Sequence, residues 1–179
     1  MPTLSQGPFA PGTISQDSAG KTWNNLSNVP IDDGASFANV STTNFQVSNN
    51  ILATNFGFAG IASIASIVGV VFTYKGKSGA STRESEGVVS LIKGGTVQGQ
   101  NKATNTLLIT LTQFSFGSSS DTWTLSLAPS DVVATTFGIA YGIQNLGNGS
   151  DSVFVDAFRL TVYYNVPTKF FFVEQGIDS

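Results

Sequence analysis

The sequence predicts an all-β fold: an antiparallel jelly-roll β-sandwich of about eight strands with extended N- and C-terminal arms. Three observations predict it. Apolar residues alternate with period two in segment after segment. Short clusters of Gly, Asn and Ser separate those segments. Only one short stretch carries a convincing helix signal. A chain of 179 residues suits one domain with a genuine core. The expected division is an arm over residues 1–18, the sandwich over 19–166, and an extension over 167–179.

Residues 1–18 hold Pro2, Pro8 and Pro11, with isolated Phe9 and Ile14 and no periodicity. That pattern predicts a disordered tail or an arm ordered against a neighbouring subunit. The strand signals start near Phe37 with "FANVST" and "NNILATNFGF". In "IVGVVFTYKGK", Val70, Phe72 and Tyr74 share a face. The wider stretch from Ile61 to Tyr74 reads as core. A rival helical stripe of Ile61, Ile64 and Ile67 runs into β-branched residues, which disfavour helix. It is also shorter than the roughly 20 residues of a membrane helix.

"GVVSLIKGG" places Val89 and Leu91 together before a Gly94-Gly95 turn, and "NTLLITLTQFSFG" alternates Leu107, Ile109 and Leu111 against Leu108, Thr110 and Thr112. "DTWTLSLAPSD" reads as a strand with Trp123, Leu125 and Leu127 on one face, and "ATTFGIAYGIQN" presents Phe137, Ile139 and Tyr141. "SVFVDAFRLTVYYN" aligns Phe154, Phe158, Leu160, Val162 and Tyr164, with Asp156 among them. A carboxylate on that apolar face needs backbone amides from a neighbouring loop, because burying it unpaired costs several kcal/mol. The helix candidate is "APSDVVAT", with Ser130 or Asp131 as N-cap.

Composition narrows the chemistry. Lys+Arg number 8 and Asp+Glu 11, a net charge of −3 that offers no basic footprint for nucleic acid. Charged residues make up 11% of the chain, against about 25% in ordinary globular proteins. The polar surface therefore comes from Ser, Thr, Asn, Gln and Gly, a profile suited to durability or assembly. Histidine and cysteine are absent, which excludes disulfides, thiol nucleophiles, a Ser-His-Asp triad and His or Cys metal ligands. The first residues, "MPTLSQGPFAPG", lack a cationic and an apolar region, so no Sec-type signal peptide is expected.

Other motifs are weak. "AGKT" (19–22) and "GKS" (76–78) look like P-loop ends, but Ser15 and Val71 stand where the loop's first glycine belongs, so both read as turns. Asp32-Asp33-Gly34 is turn chemistry, with calcium as the rival use. Glu84 and Glu86 read as a polar hairpin in "KGKSGASTRESEG"; a facing carboxylate pair would be needed for glycosidase work. No cofactor is expected. Three Asn-x-Ser sequons, starting at Asn25, Asn39 and Asn148, mean little without a signal peptide.

One ordered series of motifs goes further. "TWNNLSNVPIDDG", "LATNFGF", "IVGVVF", "VSLIKGG", "GQNKA", "TWTLSLAPSDV", "FGIAYG" and "VDAFRLTVYYN" follow one another across about residues 21–165. The series resembles a jelly-roll module of bacteriophage virion proteins and related domains of bacterial surface proteins. Thr124 stands where that module often has a glycine after Trp123, and the chain continues past the module's usual end near Asn165. The resemblance implies a non-enzymatic virion structural protein, a capsid decoration, cement or head-fibre protein. Its implied partners are the major capsid protein or tail and fibre subunits, as a homotrimer located in the virion, with no nucleic acid and no membrane. The alternative is a glycan-binding module of a tail fibre or surface adhesin, with Tyr141, Trp123 or Trp23 stacking on sugars, although Trp23 and Trp123 read first as core anchors or covers over a sheet edge.

Val166-Pro167 should end the last strand. The "KFFFV" beyond it then needs cover on both faces, since each buried Phe contributes roughly 1.5–3 kcal/mol. Phe9, Ile14, Phe170, Phe171, Phe172 and Val173 are therefore the candidate interface residues.

Overall fold

The computed structural model describes residues 2–167. In chain order the strands are β1 (Thr3–Phe9), β2 (Thr13–Gln16), β3 (Ala38–Thr43), β4 (Ile51–Thr54), β5 (Ser66–Ser78), β6 (Glu84–Lys93), β7 (Thr96–Gln98), β8 (Thr112–Ser118), β9 (Gly138–Asn145) and β10 (Ser150–Asn165). One short helix, α1 (Pro129–Val133), precedes β9. The first sheet has the order β1-β10-β5-β8, with β3 also on β10; the second has the order β2-β4-β9-β6-β7. Every pairing between these strands is antiparallel. The protein is an antiparallel β-sandwich, as the alternation predicts.

Seven of the expected eight strands form; of the three further ones, β7 follows the Gly94-Gly95 turn and the other two come from the N-terminal segment. It is extended, as expected, and its strands pair within the chain. β1 pairs with β10 and β2 with β4, so the segment supplies one edge strand to each sheet. Its Pro and Gly content hides this, because an edge strand needs a ladder on one side only and tolerates Pro on the other.

The core lies between the sheets. Phe72, Tyr74, Phe158 and Leu160 of the first sheet meet Ile51, Val89, Leu91, Ile139 and Tyr141 of the second, all buried. Rings cross the midplane: Tyr74 and Tyr141 have centroids 4.7 Å apart, and Tyr141 and Phe158 5.4 Å. Gly94 and Gly95 both have positive φ and close the β6–β7 hairpin, as read from the sequence.

Four local expectations need correction. β10 changes face midway. Its register with β5 shifts between Asp156 and Arg159, where Ala157 has φ 58°. A bulge reverses the alternation, so Val153 and Val155 point inward before it and Phe158, Leu160 and Val162 after it. Phe154 is therefore outside, where its ring meets Phe37 edge-on and Lys77.

"DTWTLSLAPSD" forms no strand: Trp123 and Thr124 both take positive φ and turn the chain. Leu108 to Leu111 also lie outside any strand, and β8 starts only at Thr112. The helix α1 is capped otherwise than expected. Ala128 occupies the N-cap and Pro129 the first turn, while Asp131 reaches back to accept the Ala128 N–H at 2.8 Å.

Candidate interaction surface

The aromatics proposed as sugar platforms are interior. Trp23 is buried and its Nε1 donates to the Asn49 carbonyl at 2.8 Å. Trp123 is buried beneath Lys102 and donates to the Val70 carbonyl at 2.9 Å. Tyr141 is fully buried at the sheet midplane. An indole or phenol ring packed on both faces has none left for a ligand. These three residues anchor the core.

The carboxylates are engaged as well. Asp33 caps its own turn by accepting from the Ser36 and Ala35 amides at 2.7 and 2.9 Å, which holds its carboxyl below the ordinary range. Asp32 pairs with Lys75. Asp156 accepts from the Gly34 amide at 3.1 Å, the loop-amide contact expected of it, yet burial raises its pKa and its Oδ1 has no partner. Among the described residues, no group of three or more acidic side chains is placed to hold a metal ion.

Glu84 and Glu86 do not form the expected polar hairpin. Both are buried on β6, which lies in the other sheet from β5. Glu84 Oε1 accepts from Thr42 Oγ1 at 2.7 Å and Asn145 Nδ2 at 2.8 Å, while Oε2 has no partner; burial raises its pKa. Glu86 accepts from the Tyr74 hydroxyl at 2.6 Å and from the amides of Asn105 and Thr104 at 2.9 and 3.1 Å. Two carboxylates enclosed in this way have no cleft between them for a substrate, and their role is to tie loops and sheets together.

The two P-loop fragments have structural uses. GKS lies inside β5 rather than in a turn. In AGKT, Gly20 lets the chain lie against β-bridge residues 47 and 48: a Cβ there would overlap the Val47 carbonyl oxygen. Lys21 then donates its amide to Val47 at 2.9 Å.

That close approach forms one side of an open groove. β3 ends in a tight turn, Thr43-Asn44-Phe45-Gln46, closed by the Gln46 N–H on the Thr43 carbonyl at 3.1 Å. Asn44 and Phe45 both have positive φ, 45° and 62°. Asn tolerates that region; a bulky aromatic is uncommon there, and the position favours Gly. Phe45 nevertheless occupies it, with 63% of its surface exposed. Gly20, Lys21, Phe45, Gln46 and Val47 line an open groove of about 440 Å3. The 145–149 turn stands beside it, fixed by Phe45 N to Gly147 O at 3.3 Å and Asn145 N to Gln46 O at 2.9 Å, and carries exposed Leu146. The sequence signal for this tip is an Asn-Phe pair where a tight turn with two positive φ angles would normally use Asn-Gly.

Of the interface residues expected from the sequence, Phe9 is exposed on β1 with its ring 5.5 Å from Phe58, and Ile14 packs partly against the core. Phe170, Phe171, Phe172 and Val173 lie outside the described residues. Among the described residues, no helix is long and apolar enough to cross a membrane.

No family model matches the chain, and no curated protein does. Among solved structures it aligns with one described as "CBM4 structure and function", at a TM-score of 0.43 and 14% identity, over 72% of this chain and 85% of that one. A likeness of that degree says nothing of what this chain binds.

Proposed function

We propose that the protein is a non-enzymatic structural subunit of a bacteriophage particle, a capsid decoration, cement or head-fibre protein that grips neighbouring virion subunits through apolar loop surfaces. The ordered motif series over residues 21–165 supports the virion class. The observation that carries the gripping role is Phe45, an aromatic kept exposed in a backbone conformation that costs energy, beside exposed Val47 and Leu146. Strain and apolar exposure together are disfavoured in an isolated chain and make sense when a partner covers them. Binding of this kind stabilises a particle by mass action.

The test is composition of purified particles. The chain should be present in stoichiometric amount, and Phe45→Ala should reduce its retention without unfolding it. Absence of the chain from intact virions would sink the reading.

The groove beside Phe45 favours a second reading, a glycan-binding module, since an exposed ring flanked by Gln46 and Lys21 suits a sugar face and its hydroxyls. Glycan-array binding lost in Phe45→Ala would move the assignment there. An array with no hits would count against it.

A further inference from the structure

We propose that two copies of this chain pair through the free edge of β8, antiparallel about a two-fold axis at Gln113, so that the first sheet continues from one copy into the other. The inference is independent of the virion reading.

It starts from how the sheet edges differ. Exposed edges offer unpaired N–H and C=O groups, and proteins guard them with shortness, proline, charge, bulges or cover. β1 contains Pro8 and an irregular register between Gln6 and Phe9. β2 has four residues and β7 three. β3 is bridged on its far side, where Asn24 and Asn39 exchange backbone bonds of 2.8 and 3.0 Å.

β8 is the least guarded edge; its irregularity is Gly117 near its end, with φ 81°. Its seven residues contain no proline and no charge, and its register with β5 runs unbroken from Val70↔Ser118 to Gly76↔Thr112. Among the described residues, β5 is its one strand partner. From residue 103 to residue 120 the chain carries neither a charge nor a proline.

The stretch just before β8 points the same way. Leu108, Ile109 and Leu111 are exposed, Ile109 to 57%. Their alternation predicts a strand, yet the ladder with β5 stops at Thr112, and beyond it the Leu108 carbonyl accepts from the Ser78 amide of β5 at 2.8 Å. The stretch 109–117 is centred on Gln113.

Pairing that stretch with itself places Ile109 opposite Gly117, Leu111 opposite Ser115 and Phe114 opposite Thr112. Large side chains therefore meet small ones. Phe114, half-buried with its ring stacked 5.1 Å from Tyr74, would be flanked on its open side. The two Gln113 amides face each other at the axis, and each both donates and accepts. With no charge on either strand, nothing repels. A two-fold contact needs such self-complementarity, and this segment has it.

The experiment is the mass of the full chain by sedimentation over a wide concentration range. The expected result is an even number of copies: two, or six where another surface also forms a trimer. Gln113→Lys sets two ammonium groups against each other and should raise the dissociation constant of this contact about fivefold or more. Mixing Gln113→Lys with Gln113→Glu should restore it. Because the chain has no cysteine, Gln113→Cys should cross-link into a covalent pair on mild oxidation, whereas Thr96→Cys on β7 should not. A chain that stays single at every concentration overturns the proposal. So does an odd copy number, a mass indifferent to Gln113→Lys, or a chain that pairs only when a different protein is added.

Discussion

The Tyr74 hydroxyl donates to Glu86 Oε1 at 2.6 Å, and the bond joins the two sheets. Tyr74 comes from β5 in the first sheet and Glu86 from β6 in the second. Around them the interior is aromatic, so this charge-assisted bond is a polar tie through an apolar layer, and it fixes how the sheets sit on each other.

Tyr74→Phe tests the tie. The variant keeps the ring and its stacking and removes one donor from a carboxylate that retains the Thr104 and Asn105 amides. Loss of a hydrogen bond to a charged group costs roughly 1.5–3 kcal/mol. A urea titration should show a lower midpoint with an unchanged slope. An unchanged midpoint would mean that the amides alone satisfy Glu86.

Glu84 sets a pH dependence. Burial raises its folded pKa above the ordinary 4.5, and burial raises Asp156 above 3.8 in the same way. The native state therefore binds protons more readily than the unfolded chain between those values and the raised ones. Stability increases as pH falls through that window, and the cost of the buried charge returns as pH rises above it. Asp151 acts in the opposite sense. Burial pushes it up, but hydrogen bonds from Ser81 and Ser78 outweigh this and leave it below 3.8, so its contribution is lost only in stronger acid. The protein should thus be more stable just above pH 4.5 than in neutral solution, and Glu84→Gln should shrink that difference. Urea midpoints at the two pH values, for both proteins, decide it.

Much of this fold is legible in the sequence because alternation and turn glycines act locally. Val89, Leu91 and the Gly94-Gly95 turn announce the β6–β7 hairpin, and Asp156 on an apolar strand announces its need for a loop amide. What stays hidden depends on distant partners. The polar run ending in Glu84 and Glu86 looks solvated, since the groups that satisfy it, Thr42, Tyr74, Asn105 and Asn145, lie up to 61 residues away. The reversal of face in β10 turns on one residue, Ala157, whose type gives no sign of positive φ. The exposed tip is half legible: Asn44 marks a turn, but only the backbone reveals that Phe45 sits where glycine belongs.

Thr124 has the same mismatch at an exposed position next to the buried Trp123. Its φ of 63° lies in the region that β-branched residues avoid, following Trp123 at 59°. Thr124→Gly should relieve about 1–2 kcal/mol of steric strain. The loss of the Thr124 Oγ1 bond to the Trp123 carbonyl, 2.6 Å, offsets part of it, and so does glycine's larger unfolded-state entropy. A melting temperature raised by a few degrees is the expected result. A decrease would show that the hydroxyl bond outweighs the strain.

Phe45 separates stability from function. Phe45→Gly installs the residue that the second position of its turn prefers and removes the exposed ring. The isolated protein should gain up to about 1 kcal/mol, because strain is relieved and no buried contact is lost. Partner binding should fall in the same variant, since the ring is the exposed apolar anchor of the tip and anchors of that kind carry much of a contact's energy. Phe45→Ala supplies the control: it removes the ring but keeps the strained backbone, so it should lose binding without gaining stability. Thermal melts and retention on purified particles, measured for both variants, give two independent readouts. Stability rising in Phe45→Gly while binding is unaffected in both would mark the tip as mere strain. Binding lost in both, with stability gained only in the glycine variant, would show that the strain is kept for the sake of the contact.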